Sequence, residues 1–215
     1  MKYILFWSFV VTLGLSCNKD TDTQTGSGCI DRLVIPVTSH GTMTDADYNL
    51  VTALFASNGI NNPTFRYTRT YRDSVQTYNG MHDFRNVFII QYANGLPIFT
   101  ESLNYLFKNG VFNSYSGTLS AGTTLNTTSV SSLKQLRKLF LNDMESFEHI
   151  GSLYRDSCFN AEFGYFNLNM GISYAPELLV KAWHVTTKSK LYPEAYYKDG
   201  SGERIYYSNG IVSFK

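Results

Sequence analysis

The chain has 215 residues, of which 43% are hydrophobic and 16% are charged. That hydrophobic content excludes a disordered chain, and the length is enough for one compact domain or two small ones. The formal net charge is +1, from 18 basic and 17 acidic residues, and the basic residues form no cluster. Because a nucleic-acid interface needs concentrated positive charge, this composition argues against a nucleic-acid partner.

The first 16 residues have the pattern of a cleaved secretory signal. One positive charge precedes about 13 mostly apolar residues, whereas a bilayer-spanning helix needs about 20. Residues 13–17 (LGLSC) resemble the lipobox of bacterial lipoproteins, although Leu13 lies one position further from the cysteine than in the commonest pattern. The resemblance implies cleavage of residues 1–16 and acylation of Cys17, so that the membrane is a partner through these acyl chains. Asn18 is typical of lipoproteins sent to the outer membrane, where the protein would face the periplasm or the cell surface.

A tether and two further cysteines follow. Residues 18–28 contain no hydrophobic residue, so residues 17–28 are predicted to be a flexible, solvated tether. Two cysteines remain after Cys17, namely Cys29 and Cys158. An even pair in an oxidising compartment is a possible disulfide, and two separately buried thiols are the alternative.

The first predicted helix begins after Thr44. Thr44 is a suitable N-cap, and Asp45 and Asp47 place two acids in the first turn, where the helix dipole favours them. Asn58-Gly59 is the predicted stop. The next segment alternates as a strand does, and the residues predicted to share one of its faces are Phe65, Tyr67, Arg69 and Tyr71. Residues 73–83 are predicted to be a loop.

Three β-rich runs come next, at residues 86–92, 96–107 and 111–119. They are separated by Asn94-Gly95 and Asn109-Gly110, and Asn-Gly between apolar runs is a strong hairpin signal because both residues accept positive φ. The sequence therefore predicts a three-stranded antiparallel meander.

The second half of the chain repeats this order. Apolar residues spaced by three and four indicate a helix: Val130, Leu133, Leu136, Phe140, Met144 and Phe147. Five short β-rich runs follow, at residues 158–169, 178–187, 195–198, 204–207 and 211–214. The predicted fold class is therefore α+β, with two helix-plus-antiparallel-meander units in which each helix packs on a sheet.

Both units resemble propeptide modules of metallopeptidases. Residues 87–99 (VFIIQYANGLPIF) and the following K-N-G turn are similar to the FTP module found ahead of fungalysin- and thermolysin-type enzymes. Residues 179–186 (LVKAWHVT) and 193–205 (PEAYYKDGSGERI) are similar to a PepSY module. The resemblance implies an FTP-like module with an N-terminal extension at residues 29–122 and a PepSY-like module at residues 123–215.

No residue pattern in the sequence calls for an enzyme. The four histidines, His40, His82, His149 and His184, lack the spacing of a metal site, and no His-Glu-x-x-His motif occurs. A Gly-x-Ser-x-Gly nucleophile elbow is also missing from the sequence. We therefore expect no catalytic residues, no metal and no cofactor.

The expected function is binding. By resemblance, such a module would bind a secreted or envelope peptidase as an inhibitor or folding helper, and exposed turns suggest contact residues at Asn94, Gly95, Lys198, Asp199 and Gly200. One alternative is a surface module that binds glycan or peptide through aromatic side chains, the candidates being Tyr105, Phe112, Tyr115, Tyr196, Tyr197, Tyr206 and Tyr207. A purely structural envelope lipoprotein is the third possibility.

Overall fold

A computed structural model describes residues 26–99, 103–172, 174–190 and 192–211. The predicted signal peptide, Cys17, most of the predicted tether and residues 212–214 of the last predicted strand lie outside these residues. Strands account for 41% of the described residues and helices for 18%.

The described chain contains ten strands of 4 to 14 residues and two α-helices. The strands are β1 (Ile30–Leu33), β2 (Phe65–Thr77), β3 (Gly80–Ala93), β4 (Leu96–Phe99), β5 (Leu103–Lys108), β6 (Val111–Ser116), β7 (Phe159–Asn167), β8 (Leu179–Thr187), β9 (Glu194–Lys198) and β10 (Arg204–Ser208). The helices are α1 (Asp45–Ser57) and α2 (Leu133–Glu148), and a 3₁₀ turn at Gly151–Tyr154 follows α2.

All ten strands belong to one mixed sheet. Its hydrogen-bonded order is β10-β9-β8-β7-β4-β3-β5-β6, while β1 pairs with β7 and β2 pairs with β3. The β1–β7 and β4–β7 pairs are parallel, and the others are antiparallel. The predicted α+β fold of two helix-plus-antiparallel-meander units is therefore wrong, because β4 pairs with both β3 and β7 and joins all the strands into one sheet.

Among the described residues, β4 and β7 pair over a short stretch, and their backbones lie close together. The β4–β7 junction contains two residue pairs, Ile98 opposite Tyr165 and Phe99 opposite Phe166. Gly164 makes the approach possible, since a Cβ atom at this position would lie 2.4 Å from the carbonyl oxygen of Pro97. No side chain fits at that distance, so the junction requires glycine there.

The ends of α1 agree with the sequence, whereas Val130, predicted to belong to the second helix, precedes Ser132, the N-cap of α2. Thr44 is the N-cap of α1, and its hydroxyl accepts a hydrogen bond of 3.1 Å from the backbone N–H of Asp47, as predicted. The predicted stop is also confirmed, since α1 ends at Ser57 with Asn58 as its C-cap. Within the described ranges, neither helix combines the length and apolar character that crossing a bilayer requires.

Both helices cover the same face of the sheet. Helix α1 packs on β3 residues Val87 and Ile89, and α2 packs on β7 residues Ala161 and Phe163. Alternate residues of a strand share a face, so Ala93 of β3 and Tyr165 of β7 lie on the same face as these residues. Ala93 and Tyr165 pack together in one apolar cluster between the two helices. The opposite, helix-free face therefore carries the side chains of the intervening residues.

The predicted loop at residues 73–83 is also wrong, because β2 and β3 continue through it as a hairpin that turns at Tyr78-Asn79. A register shift between Tyr67 and Arg69 interrupts β2. Tyr67 packs near α1, whereas the Arg69 guanidinium lies 4.1 Å from the ring centre of Phe88 on the helix-free face. The predicted single face of β2 is thus divided by a β-bulge.

We expect Gly164→Ala to destabilise the fold by about 1–3 kcal/mol or more, because the methyl group would push β7 away from Pro97. Urea denaturation followed by circular dichroism measures the change. Asn160→Ala, on the same strand, is the matched control and should change the free energy of unfolding by less than about 1 kcal/mol. Equal effects of the two substitutions would contradict a close β4–β7 junction.

Candidate binding surface

The predicted contact turn at Asn94-Gly95 joins β3 to β4. Both residues have positive φ, 50° and 77°, as the Asn-Gly pair predicts. The side chain of Asn94 donates hydrogen bonds to the carbonyl oxygens of Thr123, at 3.0 Å, and Leu125, at 3.3 Å. These two residues belong to the strap, the name we give to residues 120–131, which connect the β6 region to α2. The Asn94 amide therefore fixes the strap, while Gly95 stays exposed.

The second predicted contact, Asp199, is a buried structural residue. Its side chain is 0% exposed, and its carboxylate accepts hydrogen bonds from the backbone N–H groups of Val130 (3.0 Å) and Ser131 (2.9 Å). It also accepts one from the indole N–H of Trp183 at 3.0 Å and forms an ion pair with Lys181 at 3.4 Å. Burial raises the pKa of Asp199, but the bonds from Ser131, Val130 and Trp183 together with the Lys181 charge outweigh it and hold the pKa below its usual range.

The neighbours of Asp199 also make internal contacts. The ammonium group of Lys198 is paired with Glu203 at 2.8 Å, and the backbone N–H of Gly200 donates to the hydroxyl of Ser131 at 2.8 Å. Three of the five predicted contact residues thus bind the strap: Asn94 holds Thr123 and Leu125, and Asp199 and Gly200 hold its end at residues 130–131. Their polar groups hold this connection in place.

Cys29 and Cys158 form a disulfide in the structure, with their Cα atoms 4.4 Å apart. Each cysteine immediately precedes a strand, and the first residue pair of the β1–β7 ladder is Ile30 opposite Phe159. The bond therefore fixes β1 at the beginning of its parallel pairing with β7.

Two of the histidines, His40 and His184, have acidic partners nearby. His184 is hydrogen-bonded to Glu194 at 2.7 Å and stacks on Tyr196, with the ring centres 4.3 Å apart. His40 lies 3.3 Å from Asp45 at the beginning of α1. In the part of the chain that the structure describes, no three His, Cys, Asp or Glu side chains group closely enough to hold a metal ion.

Two of the candidate aromatic residues are in the core. Tyr105 packs under α1, and Tyr197 packs under α2, where its hydroxyl donates to Asp143 at 2.7 Å. Tyr115 stacks on Tyr105 with 5.4 Å between ring centres and is about half exposed. Aromatic contacts of this kind stabilise neighbouring strands.

Among the described strands, β1, β2, β6 and β10 have a strand neighbour on one side only. Proteins protect such edges with charges and bulges, because unpaired backbone groups attract other strands. Three of these four edge strands carry charged residues, namely β1 (Asp31 and Arg32), β2 (Arg66, Arg69, Arg72 and Asp73) and β10 (Arg204). Strand β6, with the sequence VFNSYS, contains no charge, and all six residues are exposed.

One end of the β6 edge is closed and the other is open. The side chain of Asn58 accepts a hydrogen bond from the backbone N–H of Phe112 at 2.7 Å and donates one to the carbonyl of Gly110 at 2.9 Å. A register shift leaves Asn113 without a partner on β5. Residues 114–116 continue the ladder beyond this bulge, so they form the open part of the edge.

No protein-family model matches the chain, and no curated protein shows significant similarity to it. The function is therefore inferred from the surface itself. Two β6 residues, Phe112 and Tyr115, were predicted from the sequence only as aromatic candidates for glycan or peptide binding, and no β6 residue was among the predicted peptidase contacts. The absence of charge between Lys108 and the strap is visible in the sequence, but the edge position follows only from the strand order.

We expect Asp199→Ala to lower the free energy of unfolding by about 1–3 kcal/mol or more, because it leaves the strap N–H groups and the Trp183 indole N–H without their acceptor and removes one charge partner of Lys181. Because the folded-state pKa of Asp199 lies below its unfolded value, its stabilising effect is complete above the unfolded pKa of about 3.9 and is lost as the pH falls through the folded value. The difference between wild type and variant, measured by urea denaturation, should therefore shrink in acid.

The matched control is Asp31→Ala. Asp31 is paired with Lys188 on the surface, and exposed pairs contribute about 0–1 kcal/mol. A similar loss from both variants would show that the Asp199 network is no more important than a surface ion pair.

Proposed function

We propose that this is a non-catalytic, lipid-anchored protein of the cell envelope that binds a peptidase through the β6 edge, as an inhibitor or folding helper. The observation that carries the proposal is the exposed, uncharged edge of β6. An extended segment of the partner pairs with the open backbone groups of residues 114–116 and adds a strand to the sheet.

The side chains of β6 supply most of the affinity. Backbone pairing over three residues gives a few hydrogen bonds, each with a net contribution of about 0.5–1.5 kcal/mol. Phe112 and Tyr115 are 38% and 48% exposed, so both rings present apolar area to a partner. Because Phe112 and Tyr115 already pack on Tyr105, they lose little conformational freedom on binding.

The class of partner rests on the resemblance to FTP and PepSY modules. Such modules contact metallopeptidases, and residues 87–99, which carry the FTP-like pattern, lie in β3 and β4 of the same sheet. The lipid anchor at Cys17 would hold the complex at the outer membrane. Glycan binding has less support, since Tyr105 and Tyr197 are buried among core residues.

The test uses the full chain, purified in mild detergent, and zinc peptidases secreted by the source bacterium. We expect saturable inhibition of peptide-substrate cleavage at submicromolar protein, or a higher yield of active enzyme when the denatured peptidase refolds with the protein. Ser114→Lys, which places a charge on the open edge, should weaken either effect at least tenfold. Gln76→Lys makes the same kind of change at an exposed position of the β2 edge and should have no effect.

Each other outcome contradicts a different part of the proposal. Inhibition that Ser114→Lys leaves unchanged would mean that the peptidase binds elsewhere. No effect on activity or refolding would contradict a peptidase partner. A dimer of the protein that Ser114→Lys abolishes would show that a second copy occupies the edge.

A further inference from the structure

Two buried charged side chains lie on the helix-free face, near the place where β4 meets β7. Glu162 on β7 is 8% exposed, and Arg66 on β2 is 7% exposed. Among the described residues, neither Oε1 of Glu162 nor Nε of Arg66 has a hydrogen-bond partner. Buried charges are normally paired and hydrogen-bonded, so this incomplete pairing needs a physical explanation.

Glu162 stands at an interruption in the pairing of β7. It is the last β7 residue that pairs with β1, opposite Leu33, and pairing with β4 begins at Tyr165. A cavity of about 20 Å³ borders Glu162 between the end of β1 and the β3–β4 turn. This volume has room for about one water molecule, so the carboxyl group lies beside a small opening in the sheet.

Arg66 is linked to this opening through Tyr92 and Ile35, and Ile35 lines the cavity. Its guanidinium donates a hydrogen bond of 3.0 Å to the hydroxyl of Tyr92, which donates in turn to the carbonyl of Ile35 at 2.8 Å. Burial raises the pKa of Tyr92 to about 12, with Arg66 partly opposing the rise, so Tyr92 stays a neutral donor at ordinary pH. Arg66 is therefore fixed near Glu162 without forming a direct ion pair with it.

The acidity of Glu162 depends on this environment. Burial raises the pKa of its carboxyl group, and the positive charges of Arg66 and His184 offset only part of the rise. The charged and titratable groups around it come from four strands: Arg66, Tyr92, His184, Glu194 and Tyr196. Arg32 also borders the cavity, but its guanidinium lies over the rings of Phe163 and Trp183 on the helix-bearing face. His184 lies directly opposite Glu162 in the β7–β8 ladder.

We propose that Glu162 is a proton-operated latch for the β4–β7 junction: the neutral carboxyl group favours the closed junction, and the ionised one favours its opening. In the closed junction the carboxyl group is shielded from water, whereas opening exposes it. Closing therefore binds a proton, and rising pH shifts the equilibrium toward the open form. The disulfide between Cys29 and Cys158 keeps β1 on β7, so the separation is confined to β4.

Hydrogen exchange of the junction amides tests the latch in the full chain. The amides are those of Leu96, Ile98, Phe99, Tyr165 and Phe166, followed from pH 4 to pH 8, with each rate divided by the intrinsic rate at that pH. We expect protection to fall as the pH rises, by up to tenfold for each unit by which the closed-state pKa exceeds the open-state pKa. Glu162→Gln should give protection that is independent of pH and higher than that of the wild type at pH 7.

Three further variants test whether the pH dependence comes from Glu162 itself or from a neighbouring charged side chain. His184→Gln and Glu194→Gln should keep the pH dependence, because neither removes the latch carboxyl group. Arg66→Met should move the transition to higher pH, since it removes the charge that favours ionised Glu162. The latch is refuted if the pH dependence survives in Glu162→Gln or disappears in His184→Gln. These results are independent of peptidase binding, so the latch and the proposed function can fail separately.

Discussion

The parallel pairing of β4 with β7 is the contact on which the rest of the structure depends. Pro97 has no backbone N–H, and the β3–β4 ladder ends after two residue pairs, which leaves β4 free to continue toward β7. Gly164 then admits the Pro97 carbonyl at a distance that any side chain would prevent. Without this contact β3 and β7 would belong to two separate sheets. The strap would then have no continuous sheet to cross.

The strap follows from the placement of both helices on one face. The chain must return from β6 to α2 across that face, where backbone N–H and C=O groups of this largely exposed segment find hydrogen-bond partners. Polar side chains of the sheet provide these partners, since Tyr165 donates to the carbonyl of Leu125 and Lys181 donates to that of Thr128. The buried Asp199 carboxylate completes the series by accepting the last N–H groups before α2. A charge in a hairpin turn thus stabilises a segment that is distant in sequence.

Local features could be predicted from the sequence, whereas long-range pairing could not. The Thr44 cap and the Asn94-Gly95 turn depend on residues within a few positions, and both are confirmed. The β4–β7 pairing joins residues more than sixty positions apart, and nothing in residues 96–107 marks the division between β4 and β5. Asp199 shows the same limit at the candidate site, because a turn pattern indicates exposure of the backbone but does not give the direction of the side chain.

The β6 edge and the proposed Glu162 latch lie in different parts of the same sheet. The core beneath α1 contains residues of β2, β3 and β5 and none of β4 or β7, so opening of the β4–β7 junction leaves it intact. Strand β6 is paired with β5 and moves with this core. The disulfide holds β1, and through it the N-terminal connection, on β7 at the other side of the junction. A proton taken up or released at Glu162 would therefore change how firmly the proposed partner on β6 is positioned relative to the proposed lipid anchor, without altering the β6 edge itself.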